Sequence, residues 1–338
     1  NQTVVAPALP AVMAEMGVDA AEAQWLTTGF TLVNAIMIPV TAYLTDRFPV
    51  RNLFVASMVI FTCGSALAGW GPNFFVLLLG RLVQAAGAGI LMPMGMTVLM
   101  LTFPVEKRGT AMGLFGVVIA FAPAIGPTVA GLIIDQANWH IMFLGIAVLS
   151  GFVVLFAFLA IEKTAPLAKG DAVMDKLSVV LSSIGFGALL YGFSTIGSVG
   201  IDVYDVVATL VGAVALVFFV RRQLHLKRPM LRVDVLKNRK FLIGTVIGMI
   251  VQSALLAVGI MGPIYVQSLL GLSATASGLI LMPGAVIMGV MGPVAGRLFD
   301  RYGPRSLSIV GTGVLTATSF VFAFFTTETS VAFLTAIY

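Results

Sequence analysis

The chain has 338 residues, 59% of them hydrophobic and 10% charged, with a net charge of +5 and a mean hydropathy of +1.06. A soluble domain carries about 25% charged residues, which excludes an ordinary water-facing globule. The short alternating segments of an outer-membrane barrel do not occur either, so the composition implies a polytopic α-helical membrane protein.

The chain opens inside an apolar segment, "NQTVVAPALPAVM", and closes on "VAFLTAIY". Both ends read as cuts through helices, and a longer protein is expected around them. Turn residues and charges between the apolar runs predict helix 1 to about Met16, helix 2 at 23–45, helix 3 at 52–70 and helix 4 at 74–100. Helices 5 to 8 follow at 110–134, 140–161, 177–197 and 205–220. Helices 9, 10 and 11 cover 241–267, 276–298 and 306–325, and helix 12 begins near 331. Neither 23–45 nor 241–296 contains a single charge, which suits spans of about 20 apolar residues each.

Basic residues test this count. Eighteen of the 19 Lys and Arg fall in connections after even-numbered helices, and connections after odd-numbered helices carry none. The positive-inside rule then places the basic loops, and the N-terminus, in the cytoplasm. The positive balance is an orientation signal with some attraction for anionic lipid headgroups. Nucleic-acid binding is not expected, because the basic residues are divided among five short loops. The one basic residue outside the pattern is Arg81, within helix 4.

Chemistry-bearing motifs are few. Cys63 is the single cysteine and reads as a packed small residue. His140 and His225 lie too far apart for a zinc site. No phosphate-cradling loop, nucleophile elbow or carboxylate cluster is present. The expectation is therefore no enzyme, no metal and no cofactor, and an ATP-driven pump would need its motor on another chain.

Two loops repeat a pattern. "AYLTDRFPVR" at 42–51 and "GRLFDRYGPR" at 296–305 both place D-R-[FY]-x-x-R just beyond an apolar helix on the basic side. Each alone is a charged helix end; twice, on one face, they read as an internal duplication of a bundle. Eight predicted helices, 3 through 10, lie between the copies where a plain pair of six-helix repeats would put six. Two helices, 7 and 8, are the simplest insertion.

Taken in order, these features resemble the fourteen-helix drug:proton antiporter branch of the major facilitator superfamily. The family's loop motif, roughly G-x-L-x-D-R-x-G-R-[RK], is matched by Gly296, Leu298, Asp300, Arg301, Gly303 and Arg305. The first copy keeps Leu44, Asp46, Arg47 and Arg51 but has Ala42 and Pro49 where the family favours glycine. The helix-4 motif is matched by "GRLVQAAGAG" at Arg81, Gln84, Gly87 and Gly89. The antiporter motif of helix 5, roughly G-x-x-x-G-P-x-x-G-G, is matched by "APAIGPTVAG" at Gly126, Pro127 and Gly131, with Ala122 and Ala130 in glycine positions. "ALP" at 8–10, "WLTTGF" at 25–30 and "LKRPMLRVDVLKNRKF" at 226–241 add to the likeness.

The resemblance implies an all-α membrane protein of the major facilitator fold, with two six-helix bundles and two extra helices between them. Fourteen helices are expected in the full protein and about twelve here. The expected division is an N-terminal bundle at 1–161, linker helices and a basic loop at 162–240, and a C-terminal bundle at 241–338. It also implies a multidrug efflux transporter of the bacterial cytoplasmic membrane, driven by the proton gradient. Its partners would be a small-molecule substrate and membrane lipid, and it would act as a monomer. A lipid or metabolite exporter of the same fold is the alternative within the class. A non-transporting membrane scaffold lies outside the class and has no use for the paired loop motifs.

Site expectations follow. An arginine at the centre of a membrane helix costs about 2.5–3.5 kcal/mol on insertion scales, so Arg81 either snorkels to the near headgroups or faces the interior. An interior Arg81 can take Gln84, three residues on, as an acceptor. By resemblance it lies close to helix 1 and the proton path, where family members often carry an acid and this chain has Asn1. None of the 14 acids lies deep in a predicted helix. Polar and aromatic candidates for a substrate cavity are Gln24, Trp25, Thr28, Asn34, Gln252, Tyr265 and Gln267. The absence of a mid-membrane anion among them favours neutral or amphipathic substrates. Asp46, Arg47 and Arg51, with Asp300, Arg301 and Arg305, are expected to gate the inner face through ion pairs that form in one state and break in the other. On helix 5, Gly113, Gly116, Gly126 and Gly131 are expected to allow close backbone approach, with bends at Pro123 and Pro127.

Overall fold

A computed structural model describes residues 2–161, 175–199, 202–226, 229–266, 270–271, 274–326 and 329–338. Among these residues the chain forms no strand. Helices α1 (Gln2–Val5) and α2 (Leu9–Met16) precede α3 (Ala20–Arg47), α4 (Val50–Trp70), α5 (Phe74–Thr102), α6 (Arg108–Gln136) and α7 (Trp139–Ala160). The chain continues through α8 (Lys176–Val199), α9 (Val203–His225), α10 (Arg239–Ile264), α11 (Ala274–Phe322) and α12 (Val331–Ile337). Predicted helices 2 to 9 correspond to α3 to α10.

Local chemistry explains the differences from the expected boundaries. Helix 1 is not one piece, because a 3-10 turn at Ala6–Ala8 interrupts it where Pro7 and Pro10 withhold backbone N–H groups. Gly17, at φ 67°, closes α2 with the left-handed cap that glycine adopts without cost. The sequence ends helix 8 at residue 220, but α9 continues through Arg221 and Arg222 to His225, cations that suit the negative end of the helix dipole. Predicted helices 10 and 11 form the single helical stretch α11, broken by Gly303 at φ 76°, ψ 172° into 274–302 and 304–322.

Polar caps mark one end of the bundle. Asp19, Asn73, Asn138 and Asp202 cap α3, α5, α7 and α9, all at ends away from the basic loops. Seven of the described helices are long and apolar enough to cross a membrane. Their outer surface is apolar too. On α7, Met142, Phe143 and Ala147 are buried while Leu149, Phe152, Phe156 and Leu159 are exposed, the reverse of a water-soluble helix.

Packing builds the first bundle from α3, α4, α5 and α7. α4 and α7 run antiparallel and are joined along their length. Arg51 Nη2 donates to the Phe158 carbonyl at the basic end (2.5 Å), Thr62 donates to Ser150 Oγ midway (2.9 Å), and His140 Nδ1 meets the Gly69 carbonyl at the far end (2.8 Å). α4 and α5 come into backbone contact, since a Cβ on Gly80 would lie 2.5 Å from Ala68 N. The α8–α9 hairpin, which follows α7 in sequence, rests in space against α3, where Tyr191 stacks on Trp25 with ring centroids 6.2 Å apart. α6 therefore meets α11 directly.

Candidate functional site: the Arg81 chamber and the α6–α11 seam

Arg81 is the eighth residue of α5, about 10 Å from the helix start at 1.5 Å per residue. Snorkelling does not occur: the side chain is 0% exposed. Its Nε donates to the Leu26 carbonyl of α3 at 3.3 Å, and Nη1 donates to Gln84 Oε1, the acceptor its helical spacing offers. Gln84 Nε2 donates to Ser65 Oγ of α4 at 2.7 Å, and that hydroxyl donates on to the Phe61 carbonyl at 2.8 Å. The guanidinium carbon lies 4.2 Å from the Phe30 ring centroid and 5.9 Å from that of Phe143, so aromatic faces supply part of the lost solvation. Nη2 has no acceptor among the described residues. A buried N–H without a partner carries a desolvation cost of about 1–3 kcal/mol, more for a charged group.

The second feature is a seam of glycines. A Cβ on Gly109 of α6 would fall 2.8 Å from the Gly296 carbonyl of α11, and one on Gly113 would fall closer still to the Gly292 carbonyl. Backbone meets backbone there, in two matching small-x-x-x-small pairs. At the basic end the seam closes on one carboxylate. Asp300 accepts from the backbone N–H groups of Gly109 (2.9 Å) and Thr110 (3.0 Å) and from the Thr110 hydroxyl (2.8 Å). α6 has no side-chain cap of its own, since its N-cap position is Lys107. Asp300 supplies that cap from another helix, with its negative charge on the positive end of the α6 dipole.

This differs from the ion-pair gate expected from sequence. Among the described residues no ion pair forms at Asp46, Arg47, Arg51, Asp300, Arg301 or Arg305. Arg51 is bound to the Phe158 carbonyl and lies over that ring at 4.8 Å, and Arg301 lies 5.4 Å from the Tyr302 ring. A helix N-terminus is the better site for Asp300, because two fixed N–H donors hold it without ordering a long side chain. Gly113 does make the expected close approach, while at Gly116 and Gly131 a Cβ would meet nothing within 4 Å among the described residues. Pro123, Gly126 and Pro127 lie within the continuous helix α6.

The cavity candidates are not brought together. Gln24 is exposed, Thr28 is half-buried, and Trp25 faces the α8–α9 hairpin. Asn34 donates to the Phe30 carbonyl of its own helix at 3.0 Å and faces Gly89 of α5. Gln252 is exposed on α10, and the Tyr265 hydroxyl donates to the Thr326 carbonyl. Asn1 and Gln267 lie outside the described residues. Two surface pockets, of about 560 Å³ between Ile309 and Phe320 and about 610 Å³ around Leu177 and Arg222, take in none of these side chains. Sequence reasoning missed Ser65, Phe30, Gly109 and Thr110. The spacing of Gly109 and Gly113 against that of Gly292 and Gly296 was the legible signal for the seam.

The long apolar helices are those of a multi-pass membrane protein, with a charged residue sealed among α3, α4 and α5 and a glycine seam between α6 and α11. The chain belongs to the Major Facilitator Superfamily, which it matches over residues 1–338. It is 44% identical to the MFS-type transporter YcnB of Bacillus subtilis (strain 168), over 100% of this chain and 71% of that protein. It is 40% identical to the lincomycin resistance protein LmrB of the same organism, over 96% of this chain and 68% of that protein. Similarity extends at 27% identity to a multidrug resistance protein B homolog of Mycobacterium tuberculosis (strain ATCC 25618 / H37Rv), over 95% of this chain and 60% of that protein. The chain thus spans between three-fifths and three-quarters of the length of these relatives.

Proposed function

We propose that the protein is a secondary active exporter that moves apolar or amphipathic compounds out of a bacterial cell in exchange for protons. The basic loops and the N-terminus face the cytoplasm in this reading, and the protein works as a monomer in the cytoplasmic membrane. The names of the lincomycin and multidrug resistance relatives support drug efflux. The observation that carries the proposal is Arg81, a fixed cation in a dry chamber with one amino group unpartnered among the described residues.

Such a cation does two things for an exchanger. It opposes the passage of an uncoupled proton through the bundle, as fixed positive charge does in other membrane pores. It also offers free donors to an acceptor that enters during the cycle, so that Nη2 is satisfied in one state and not in the other. The α6–α11 seam, drawn closed at the basic end by Asp300, supports alternating access: rocking of one bundle against the other opens that end when the cap is released. Breaking one helix cap requires about 0.5–2 kcal/mol, a scale that lets two states exchange.

The test is efflux by the full-length protein in everted vesicles under an imposed pH gradient, with lincomycin and a panel of amphipathic dyes as substrates. Transport that stops when the gradient is collapsed supports exchange. Transport that continues at the same rate without a gradient removes proton coupling from the proposal.

A further inference from the structure

A second cluster of polar groups lies at the end of the bundle away from the basic loops. Glu15, near the end of α2, receives the Trp139 indole N–H on Oε2 at 2.7 Å, and its Oε1 lies 3.0 Å from His140 Nε2. His140 Nδ1 lies 2.8 Å from the Gly69 carbonyl at the end of α4. Three helices, α2, α4 and α7, meet on one imidazole.

The hydrogen count decides what this means. A carbonyl oxygen only accepts, so Nδ1 carries a hydrogen. Nε2 faces a carboxylate oxygen, which accepts when ionised. Two arrangements satisfy both contacts: an imidazolium against a carboxylate, or a neutral Nδ1–H imidazole accepting from a carboxylic acid. Both contain one proton more than a neutral histidine beside an ionised glutamate. In that deprotonated form the Nε2 lone pair would face a negative oxygen at 3.0 Å and the contact would open. The closed cluster is therefore a proton-bound cluster, its extra proton shared between the two side chains.

We propose that Glu15 and His140 form a proton-binding site that latches α2 to α4 and α7 at the outer mouth of the first bundle. The proposal rests on the exchange reading above and supplies it with a protonatable group. Solvent reaches the pair, since the side chains of His140 and Glu15 are 25% and 50% exposed. The proton arrives from water onto Nε2 or the carboxylate and leaves by the same path, with no other bond made or broken. Among the described residues Glu15 is the ion-pair partner of His140, and Trp139 belongs with Leu77 of α5 and Ala130 of α6 to an apolar cluster. Behind it Trp139 packs edge-on against Phe143 at 6.2 Å, and Phe143 in turn lies 5.9 Å from the Arg81 guanidinium. A change of α2 or α7 at the latch is thus transmitted by two rings to the chamber.

Trp139 reports on the site, because its ring stacks on that of His140 with centroids 3.6 Å apart. The full-length protein carrying Trp25→Phe and Trp70→Phe has Trp139 as the reporter in this region. Its emission is titrated between pH 5 and 8. A step is expected in that background, lost with His140→Gln and displaced with Glu15→Gln, which removes the ionisable partner at hydrogen-bond distance. A flat titration before any change at 140, or a step that Glu15→Gln leaves in place, overturns the proposal. Gradient-driven efflux is measured on the same preparations. Wild-type efflux that ignores the gradient while the step survives removes the exchange reading and leaves the site; gradient-driven efflux without the step does the reverse.

Discussion

The first bundle and the α6–α11 seam are both close-packed, yet they are held together in different ways. Around Arg81, glycine-mediated backbone contact between α4 and α5 is joined by hydrogen bonds between helices at several depths: Arg81 to Leu26, Gln84 to Ser65, Thr62 to Ser150, Thr41 to the Gly89 carbonyl at 3.3 Å. Each fixes a register, because sliding one helix would leave a buried polar group without its partner. The seam has glycine against glycine at two levels, Gly109 with Gly296 and Gly113 with Gly292, and, among the described residues, one carboxylate at its basic end. Van der Waals contact between glycine backbones leaves no buried polar group stranded when it opens, so the seam can separate once its cap is released. One region is suited to be a rigid body and the other to be the surface on which it moves.

The largest expected effect comes from Arg81. Burying an ion costs several kcal/mol even after relaxation, while replacing it by methionine leaves Gln84 Oε1 without its donor at about 1–3 kcal/mol. These terms offset, so Arg81→Met should keep or raise the thermal midpoint of the full-length protein while gradient-driven efflux is lost. A fall in midpoint matching the loss of efflux would show that the residue holds the bundle together and nothing more.

Next is Gly113→Leu. The Cβ alone would collide with the Gly292 carbonyl, a backbone group that cannot turn aside. Overpacking of this kind costs about 1–3 kcal/mol, here concentrated in the closed seam. The variant should still insert, with α6 and α11 held apart at the basic end in distance measurements between spin labels, and with efflux reduced at least as far as by any change at the cap. Gly116→Leu on the same helix, with open space around its Cβ, should change neither reading.

The cap is the smaller, sharper probe. Asp300→Ala removes an acceptor of two N–H groups at about 0.5–2 kcal/mol, and one to two kcal/mol is a factor of about 5–30 in a two-state ratio. The same label pair should report a shift toward the separated state by that factor. Asp300→Asn, which keeps an acceptor oxygen and loses the charge, should fall between. Equal effects of the two would assign the whole contribution to charge.

How much of this was legible beforehand follows from what kind of contact each part uses. Arg81 announced itself as one cation in an apolar run, and Gln84 followed from helical spacing, so the core of the chamber was readable from one segment. Asp300 was visible as half of a repeated loop, but its partners lie 190 positions away and are backbone N–H groups, which have no residue-type signature. The α8–α9 pair was readable as two apolar helices; the Trp25–Tyr191 contact that sets it against α3 is encoded by no local pattern. The membrane class, in contrast, rested on composition alone and needed no long-range information.

The smallest effect should arise at the hairpin, which touches neither moving surface. Arg222 holds Asp175 through two bonds, Nε to Oδ2 at 2.6 Å and Nη2 to Oδ1 at 2.9 Å, while Ser178 also donates to Oδ2. The Arg222 hydrogen bonds hold the Asp175 carboxyl below the usual carboxylate range. A depressed carboxylate contributes stability above its unfolded value, about 3.9, and loses it as pH falls through the lower folded value. Amide exchange in α8 and α9 should therefore be slow and flat with pH-corrected rates from neutrality to about pH 5 and should accelerate below about pH 4. Arg222→Gln should flatten that acid limb while leaving efflux near neutrality at the wild-type rate. If the same substitution impaired efflux, the hairpin would have to be counted with the seam as part of the moving machinery, and the division between rigid and mobile regions would fail.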